Sequence, residues 1–486
     1  MPYPSDRLLT ALLVMVVLAA CATAEPLPSP ALSGPTPDAL ALSARAGETA
    51  TGLITFGNEG GSALSFTLRA DQAWLSAEPG SGLVNPGQTQ GITLGAACLA
   101  KGRYEAALTV ASNDPADAGK AVAVTLLCTE PDLPQLPRDA WSRFEPGGDT
   151  VCANGSPYAY YAYGGEVNRL VIDFQGGGAC WDDATCARPL EPGVGQGLYI
   201  GGVYGSPEDY YGSGGIYDKS NEANPLRGWY HVHVNYCTGD IHLGDAASSY
   251  TDPATGAAFG VEHRGAVNAR SVLEWVFEAF EAPETIVVTG CSAGAYGAIA
   301  YTPAIIERYP GAKVYALGDC GAGIVTESFM AEGITRWNVG GAFLPGFSPT
   351  LETDFLSNLY AAVGNAYKES LVAQYNTLAD GVQIGYYGLM KGVSPPTLEV
   401  ALEWISAMLA SLGKIEVSTA NFYAYTADYG RDAFGATPHC IITRDDLYTV
   451  AQNGVSFVGW LSDMVSGKAI ETVTAPLVFL SEGAPR

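Results

Sequence analysis

Apolar and polar residues alternate along the chain from Ala39 to Cys128, in short runs separated by turns that contain Gly, Asn or Pro. Runs such as SALSFTLRA and AVAVTLLC have the period of two that places successive side chains on opposite faces of a strand. Several such strands within about 90 residues are typical of an immunoglobulin-like β-sandwich. We therefore predict an all-β domain over residues 39–128, with Trp74 in its core and a disulfide bond between Cys98 and Cys128.

The pattern changes after residue 139, where almost wholly apolar runs alternate with segments of helical period. RLVIDF, TIVVTG and AKVYALGD read as strands that are buried on both faces. Ahead of TIVVTG, the segment AVNARSVLEWVFEAF has the spacing of an amphipathic helix. This alternation predicts an α/β domain over residues 140–486, with a mostly parallel sheet covered by helices on both faces. Residues 129–139 are predicted to be a linker.

The N-terminal residues indicate export. Leu8–Ala20 is a mostly apolar run, shorter than the about 20 residues that a membrane-spanning helix needs, and it predicts a signal peptide over residues 1–20. Leu18–Cys21 resembles a bacterial lipoprotein box, which predicts that Cys21 is lipidated and holds the protein on a membrane at the bacterial cell envelope or surface. The alternative is an ordinary secretory leader and a secreted protein. Residues 21–38, which are rich in proline, are predicted to form a tether.

Composition and charge exclude some functions. Acidic residues outnumber basic ones by 50 to 24, which gives a net charge of −26, and the basic residues are scattered singly. Such a chain repels nucleic acid. Ten cysteines indicate an oxidising compartment, but the sequence has no Cys-x-x-Cys and no His-x-x-x-His pair. We therefore expect neither a nucleic-acid partner nor a bound metal.

A serine between two glycines carries the strongest chemical signal. Gly290-x-Ser292-x-Gly294 lies between the apolar run TIVVTG and a segment of small residues with helical character. A strand followed by a helix is the setting of a nucleophile elbow, in which a sharp turn exposes the serine hydroxyl. Ser292 is therefore the predicted catalytic nucleophile.

A run of three glycines in VIDFQGGGACW follows an earlier strand. Consecutive small residues allow neighbouring backbone N–H groups to point at one oxygen, as they do in an oxyanion hole. We predict that the N–H groups of Gly177 and Gly178 act there together with that of Ala293, the residue after the nucleophile. A phosphate-binding loop is disfavoured because no Lys-Ser or Lys-Thr pair follows the glycines.

A serine nucleophile needs a base, which in this order of motifs follows the serine along the chain. His439 is the only histidine after Ser292, so elimination makes it the predicted base. The acid that orients the base is expected between the two in sequence. The residues alone leave several candidates open: Asp319, Asp354, Asp380, Asp428 and Asp432.

Several phrases in a fixed order resemble one enzyme family. The segment around His439 and the phrases CANGSPYAYY, FQGGGACWDDATC, NYCTGDIHLGD, GCSAGAYGA, GDCGAG and QYNTLADGVQ resemble the pectin acetylesterases and the Notum-type carboxylesterases. The resemblance covers nearly all of residues 140–486 and implies an α/β-hydrolase-type fold that hydrolyses O-acyl esters. It also implies that the acid is Asp380, the aspartate of NTLADGVQ, rather than Asp319.

The same resemblance implies two disulfide bonds, Cys152–Cys237 and Cys180–Cys186, the second of which clamps the oxyanion loop. Three cysteines of this domain remain without an implied partner: Cys291, Cys320 and Cys440. A Cys320–Cys440 bond is one option for them.

Two further comparisons with families concern the acyl pocket and the β-domain. Gly178-Ala179 stands where other family members often carry a bulky aromatic residue, so the acyl pocket of this chain is expected to differ. In the β-domain, FGNEGGSALSFTL, AWLSAEPGSGLVNPGQT and LTVASNDP resemble the Ig-like modules of the BACON and ASPM-SPD-2-Hydin type. That resemblance implies a spacer or binding module without chemistry of its own.

Together these inferences predict a serine esterase that hydrolyses O-acyl esters, above all O-acetyl esters on carbohydrate, through an acyl-enzyme and without a cofactor. Trp181, Tyr236 and Asp240 lie in motifs near the site and are predicted to line its substrate pocket. Two alternatives remain open. One is a carboxylesterase for longer acyl chains on lipid or protein, and the other is a non-catalytic surface-binding lipoprotein.

Overall fold

The computed structural model describes residues 28–129, 133–190, 197–343, 347, 349–352 and 354–476. The chain divides into two compact units, Met1–Pro131 and Asp132–Arg486. The predicted signal peptide, the predicted lipidation site Cys21 and the first part of the predicted tether lie outside the described residues. Within the described ranges, no helix is both long enough and apolar enough to cross a membrane.

The described part of the first unit is a sandwich of two β-sheets. Its strands are β1 Leu32–Thr36, β2 Ala39–Arg45, β3 Thr49–Asn58, β4 Leu64–Ala70, β5 Leu75–Glu78, β6 Ser81–Val84, β7 Thr89–Ala97, β8 Gly102–Ser112 and β9 Gly119–Thr129. One sheet has the order β1-β3-β7-β5, and the other has the order β2-β9-β8-β4-β6. Buried and more exposed residues alternate along β9, as the period of two predicts. A disulfide bond joins Cys98 to Cys128.

The structure corrects the sequence prediction at two points of this unit. Leu32–Thr36 was predicted to be tether, but it forms β1 and pairs antiparallel with β3. Leu32 is buried, and its N–H donates to Asp114 Oδ2 at 2.8 Å. Proline is tolerated here because β1 is an edge strand, whose outer side needs no ladder N–H. Trp74, predicted in the core, packs against the edge of that core: it is half-buried and lies edge-on to Tyr104.

The second unit is built on a mostly parallel sheet. Its described strands are β10 Ser142–Phe144, β11 Tyr160–Tyr163, β12 Val167–Phe174, β13 Pro189–Leu190, β14 Tyr199–Ile200, β15 Trp229–Val234, β16 Ala246–Thr251, β17 Ala258–His263, β18 Thr285–Cys291, β19 Lys313–Asp319, β20 Leu371–Thr377, β21 Phe422–Ala427, β22 Ala451–Gln452 and β23 Val455–Ser456. The central sheet has the order β10-β11-β15-β12-β18-β19-β20-β21. From β15 to β21 all neighbours are parallel.

Helices cover both faces of this sheet. The described helices are α1 Asp183–Cys186, α2 Pro207–Tyr211, α3 Gly265–Ala279, α4 Ala293–Arg308, α5 Glu327–Phe329, α6 Thr335–Trp337, α7 Phe355–Ala366, α8 Gly381–Met390, α9 Leu398–Ser418, α10 Asp446–Thr449 and α11 Phe457–Val465. Along β18, Ile286 and Val288 join the core that contains α3, α4, α7 and α9, while Val287 joins the core that contains α11. The predicted fold class, an α/β domain with an N-terminal β-sandwich, is confirmed.

The carboxyl ends of the parallel strands lie together at one edge of the sheet. Phe174 at the end of β12 pairs with Gly290 of β18, and Cys291 pairs with Asp319 at the end of β19. Asp319 in turn pairs with Tyr375 near the end of β20. In open α/β sheets this edge is where ligands bind. The glycine loop and Ser292 follow these strands directly, Asp319 ends β19, and Asp380 lies three residues after the end of β20.

Candidate active site

Ser292 occupies a sharp turn between β18 and α4. Its backbone has φ 59° and ψ −120°, a conformation that residues other than glycine rarely adopt and that marks strained functional positions. The turn needs small neighbours, because a Cβ on Gly290 would lie 2.7 Å from the carbonyl oxygen of Phe174. The N–H of Ser292 donates to the carbonyl of Asp319 at 2.7 Å, which ties the turn to β19. This geometry is that of the predicted nucleophile elbow.

Asp380 and His439 form a hydrogen-bonded pair. His439 Nδ1 lies 2.8 Å from Asp380 Oδ2, and the aspartate side chain is fully buried. Asp380 also caps α8, since its Oδ1 accepts from the N–H groups of Val382 and Gln383 at 3.0 Å each. The Gln383 side-chain amide donates to Oδ2 at 3.0 Å. Four donors therefore hold this carboxylate in one orientation.

The pair shifts both pKa values towards the charged forms. Burial acts to raise the pKa of Asp380, but the charge and hydrogen bond of His439 and the donors from Gln383 hold it below its usual value. Burial acts to lower the pKa of His439, but the charge and hydrogen bond of Asp380, together with the charge of Asp319, raise it above its usual value. An imidazole that accepts a proton readily is what a general base requires.

His439 and Ser292 line the same cleft, and the imidazole atom that would take the serine proton is free. His439 Nε2 is buried and has no hydrogen-bond partner among the described residues. The structure records no direct bond between Nε2 and the Ser292 hydroxyl. In proteins without bound substrate such contacts are often long and tighten only in the complex.

The glycine loop after β12 presents unpaired N–H groups beside Ser292. Tyr211 Oη accepts from the N–H of Gly176 at 2.8 Å, and the Gly177 and Gly178 carbonyls accept from Ile200 N–H and Tyr236 Oη, both at 2.9 Å. These bonds fix the loop from its other side. In the described part of the chain no acceptor is assigned to the N–H groups of Gly177, Gly178 and Ala293. The three predicted oxyanion donors are thus available to a ligand.

Disulfide bonds brace the loops on both sides of the cleft. The structure contains Cys152–Cys237 and Cys180–Cys186, the two bonds that the family resemblance implies. It also joins Cys291, next to the nucleophile, to Cys440, next to His439. The option of a Cys320–Cys440 bond is therefore wrong, and Cys320 is a buried free thiol. The sequence does not show which of Cys291 and Cys320 pairs with Cys440, because Cys291 ends β18 and Cys320 directly follows the neighbouring strand β19.

Trp181, Tyr236 and Asp240, which were predicted to line the pocket, are buried behind it. Trp181 packs edge-on against Phe329, and Tyr236 holds the carbonyl of Gly178. Asp240 accepts from Thr238 Oγ1 at 2.6 Å and from Gly265 N–H at 2.7 Å, so its oxygens are occupied. All three support the loops and do not appear on the cleft surface that the structure describes.

Two cavities meet at Ser292. One is a small, mostly apolar cavity of about 70 Å³. Its lining includes Tyr296, Phe329, Leu356, Met390 and Trp404. The other is an open cleft of about 550 Å³, whose lining includes Tyr210, Tyr211, Tyr386, Thr443 and Arg444. Sequence reasoning missed these residues because they come from distant segments and carry no local motif.

Gly178→Ala is expected to lower kcat about 10²-fold and to leave KM nearly unchanged. Gly178 has φ 74°, and an added Cβ would collide with the Leu198 carbonyl and the Tyr386 hydroxyl. The loop would have to move, and a displacement of about 1 Å at a catalytic group costs roughly that factor. Gly385→Ala is the control, because the space around that glycine is open. A Gly178→Ala variant that keeps more than about half of the wild-type kcat would argue against the assigned oxyanion loop.

A strained serine, a histidine–aspartate pair and a glycine loop with free N–H groups thus meet at the carboxyl edge of a mostly parallel sheet. This is the arrangement of an α/β-hydrolase-type domain. Residues 145–337 match the model of the pectinacetylesterase family, and residues 34–122 match that of the viral BACON domain. The two matches confirm both family resemblances over the matched residues, with the BACON match on the N-terminal side of the pectinacetylesterase match. Asp380 and His439 lie beyond the matched segment.

Individual known proteins are similar to parts of this chain. Pectin acetylesterase 11 of Arabidopsis thaliana is 30% identical over 177 residues, and pectin acetylesterase 7 of the same plant is 29% identical over 179 residues. Each alignment covers 35% of this chain and 42% of the relative. Among solved structures, the Wnt deacylase Notum from Drosophila covers 69% of this chain and 96% of its own, with 17% identity and a TM-score of 0.48.

Proposed function

We propose that the unit Asp132–Arg486 is a serine esterase that hydrolyses short O-acyl esters through an acyl-enzyme. The observation that carries the proposal is the site itself. Ser292 and His439 line one cleft, Asp380 holds His439 Nδ1 at 2.8 Å, and the glycine-loop N–H groups lie alongside. A positioned base and an oxyanion hole are the two parts that acyl transfer to a serine requires.

In the proposed mechanism Ser292 Oγ attacks the ester carbonyl while His439 Nε2 takes its proton. Asp380 keeps the imidazole proton on Nδ1 and stabilises the imidazolium that forms. The carbonyl oxygen becomes an oxyanion and accepts hydrogen bonds from the free N–H groups of Gly177, Gly178 and Ala293. His439 then protonates the leaving alcohol oxygen. Water, deprotonated by the same imidazole, releases the acid and restores Ser292. The mechanism calls for no cofactor.

The size of the small cavity supports a short acyl chain. A water-sized group needs about 10–15 Å³ of such space, so about 70 Å³ accommodates roughly five groups of that size. An acetyl methyl fits, and a chain of about three carbons fills the cavity, since a cavity of about 150 Å³ is needed to hold the six carbons of benzene. Longer fatty acyl chains would force the packed side chains apart. This favours the predicted O-acetyl esters over the alternative of long acyl chains.

The open cleft supports an alcohol as large as a sugar. Tyr210, Tyr211 and Tyr386 give it aromatic surface with hydroxyl groups, and Thr443 and Arg444 add polar donors. Aromatic rings with polar tips suit ligands that are apolar on one face and hydroxylated at the edge. We therefore propose an acylated carbohydrate as the substrate. The predicted export and the predicted anchoring of the protein through lipidated Cys21 complete the proposal, which places the enzyme on the bacterial cell envelope or surface.

Chain-length selectivity tests this proposal. We expect kcat/KM for p-nitrophenyl esters to be highest between acetate and butyrate, and to fall by about 10²-fold at decanoate, the loss that a pocket contact of a few kcal/mol produces. Met390→Ala should raise the decanoate-to-acetate ratio about tenfold, because it removes a side chain from the cavity lining. Leu389→Ala, half-buried on the same helix but outside that lining, is the matched control.

Two results would contradict the proposal. If the protein hydrolyses neither these esters nor acetylated xylan, the proposed esterase function is wrong, and the alternative of a non-catalytic surface-binding protein remains. A maximum of kcat/KM at decanoate or palmitate would contradict the preference for short acyl chains and support the alternative of a carboxylesterase for long acyl chains.

A further inference from the structure

We propose that Asp319, the aspartate that does not contact the base, is the positioning residue for His439. Its buried carboxylate fixes the backbone that follows the imidazole, and its negative charge faces that imidazole. The inference rests on the proposed esterase function, since it concerns the base of that reaction. It gives a role to a buried acid that the proposed mechanism otherwise leaves unused.

The carboxylate of Asp319 holds the loop that carries His439. Its Oδ2 accepts from the N–H groups of Ile441 and Ile442 at 2.8 and 2.9 Å, and the side chain is fully buried. These two N–H groups lie two and three residues after His439. Because Asp319 ends β19, the bonds fasten a loop of irregular structure to the central sheet.

The same residue also holds the nucleophile turn. The carbonyl of Asp319 accepts from the N–H of Ser292 at 2.7 Å. The disulfide Cys291–Cys440 spans the same gap between the end of β18 and the loop. One residue and one covalent bond therefore set how far the base lies from the nucleophile, while Asp380 sets the rotation of the imidazole about its own axis.

Asp319 is not the acid of the pair. His439 Nδ1 bonds to both oxygens of Asp380, and among the described residues it makes no hydrogen bond to Asp319. Asp319 Oδ1 has no hydrogen-bond partner in the described part of the chain. Inside a protein the effective dielectric is low, so an ionised carboxylate there acts on its neighbours more strongly than it would in water.

The ionisation state of Asp319 affects the pKa of His439. Burial raises the pKa of Asp319 to about 6, against the lowering effect of the Ile442 and Ile441 N–H groups and of His439. Above that pH the ionised carboxylate contributes to the raised pKa of His439. The other titratable groups near Asp319 are the thiol of Cys320 and the phenols of five tyrosines: Tyr211, Tyr217, Tyr360, Tyr375 and Tyr429. Burial raises the pKa of each, so they stay neutral.

Two substitutions separate the two roles of Asp319, which are the hydrogen bonds of its carboxylate to the His439 loop and the effect of its charge on the imidazole. In Asp319→Asn the amide oxygen replaces Oδ2 and keeps both bonds to the loop, but the charge is lost. We expect kcat at pH 8.5 to stay within about threefold of wild type, while the midpoint of the acid limb of kcat/KM moves down by about 0.5–1 pH unit. The sign follows because the neutral imidazole is the active form, and removal of a nearby negative charge makes it harder to protonate.

Asp319→Ala removes the hydrogen bonds to the loop as well as the charge. We expect kcat to fall about 10²-fold with little change in KM, the cost of a base displaced by about 1 Å. Asp354→Ala is the control, because this exposed aspartate pairs with Lys414 away from the site and should change neither kcat nor the pH midpoint. Full kcat in Asp319→Ala, or an unchanged midpoint in Asp319→Asn, would overturn the proposal.

A measurement without turnover keeps this test separate from the esterase proposal. The imidazole pKa of His439 can be followed by NMR on protein labelled at its five histidines, with His439→Gln to assign the signal. Asp319→Asn should lower that pKa by the same 0.5–1 unit even if no ester proves to be a substrate. If wild type hydrolyses nothing but the NMR shift appears, the esterase proposal fails and the electrostatic part of this one stands. If the shift is absent, this proposal fails.

Discussion

Ser292→Ala is expected to lower kcat/KM for p-nitrophenyl acetate by about 10⁶-fold, the loss measured when a serine hydrolase loses its nucleophile. The substitution removes only the hydroxyl group, and both hydrogen bonds that the structure assigns to Ser292 are made by its backbone N–H and carbonyl. The φ of 59° is kept by the bonds of the turn to β19, so the fold should be unaffected. Initial rates by absorbance, at substrate concentrations well below KM, measure the effect.

Ser328→Ala serves as the control for this variant, since Ser328 is exposed and outside both cavities. Both variants should unfold within about 0.5 kcal/mol of wild type, as surface and site substitutions without packing loss do. A residual rate in Ser292→Ala within tenfold of wild type would show that another group performs the hydrolysis.

Asp380→Asn is expected to lower kcat by about 10⁴-fold through the wrong imidazole tautomer. The Oδ1 position must remain an oxygen, because it accepts from the N–H groups of Val382 and Gln383. The amide nitrogen then takes the Oδ2 position and presents hydrogens to His439 Nδ1. Because the amide nitrogen stands at the nearer position, 2.8 Å from Nδ1 against 3.0 Å for Oδ1, it favours Nδ1 as the acceptor. The proton then moves to Nε2, where it prevents His439 from taking the proton of Ser292. Steady-state rates between pH 6 and pH 10 follow the loss.

Asp319→Asn is the matched comparison, because it makes the same chemical change in the neighbouring buried acid. The two variants should differ in kcat at pH 8.5 by more than 10³-fold, since only Asp380 bonds to the imidazole. The opposite order, with Asp319→Asn inactive and Asp380→Asn active, would make Asp319 the acid of the pair.

The parts of the site that a local motif encodes could be predicted from the sequence. Gly290 and Gly294 flank Ser292 because any side chain there would collide with the end of β12, so the physical constraint leaves a readable pattern. His439 follows from elimination alone. The α/β fold follows from apolar runs that only a sheet covered on both faces can bury.

Other parts depend on contacts between distant segments, which a single sequence does not reveal. Trp181, Tyr236 and Asp240 lie close to the motifs in sequence, but the structure places their side chains on the side of the loops that faces the core. Proximity along the chain does not say which face of a loop a side chain takes. The Cys291–Cys440 bond likewise depends on how the His439 loop crosses the ends of β18 and β19.

The role of Asp319 was hidden for a similar reason. Its position at the end of a strand made it a candidate acid, but the bonds that define it go to the backbone of Ile441 and Ile442. Backbone partners leave no residue-type signal in the sequence. The prediction of a tether at Leu32–Thr36 was wrong because proline is compatible both with a tether and with an edge strand, which is what these residues form.

The account depends on Ser292 and His439 working as one catalytic unit, and the double variant Ser292→Ala/His439→Ala tests this most directly. If the two residues act in the same step, the kcat/KM of the double variant equals that of Ser292→Ala within about threefold, because the second loss removes nothing further. If the rate instead falls by the product of the two single losses, the residues act independently, and the proposed esterase site is wrong.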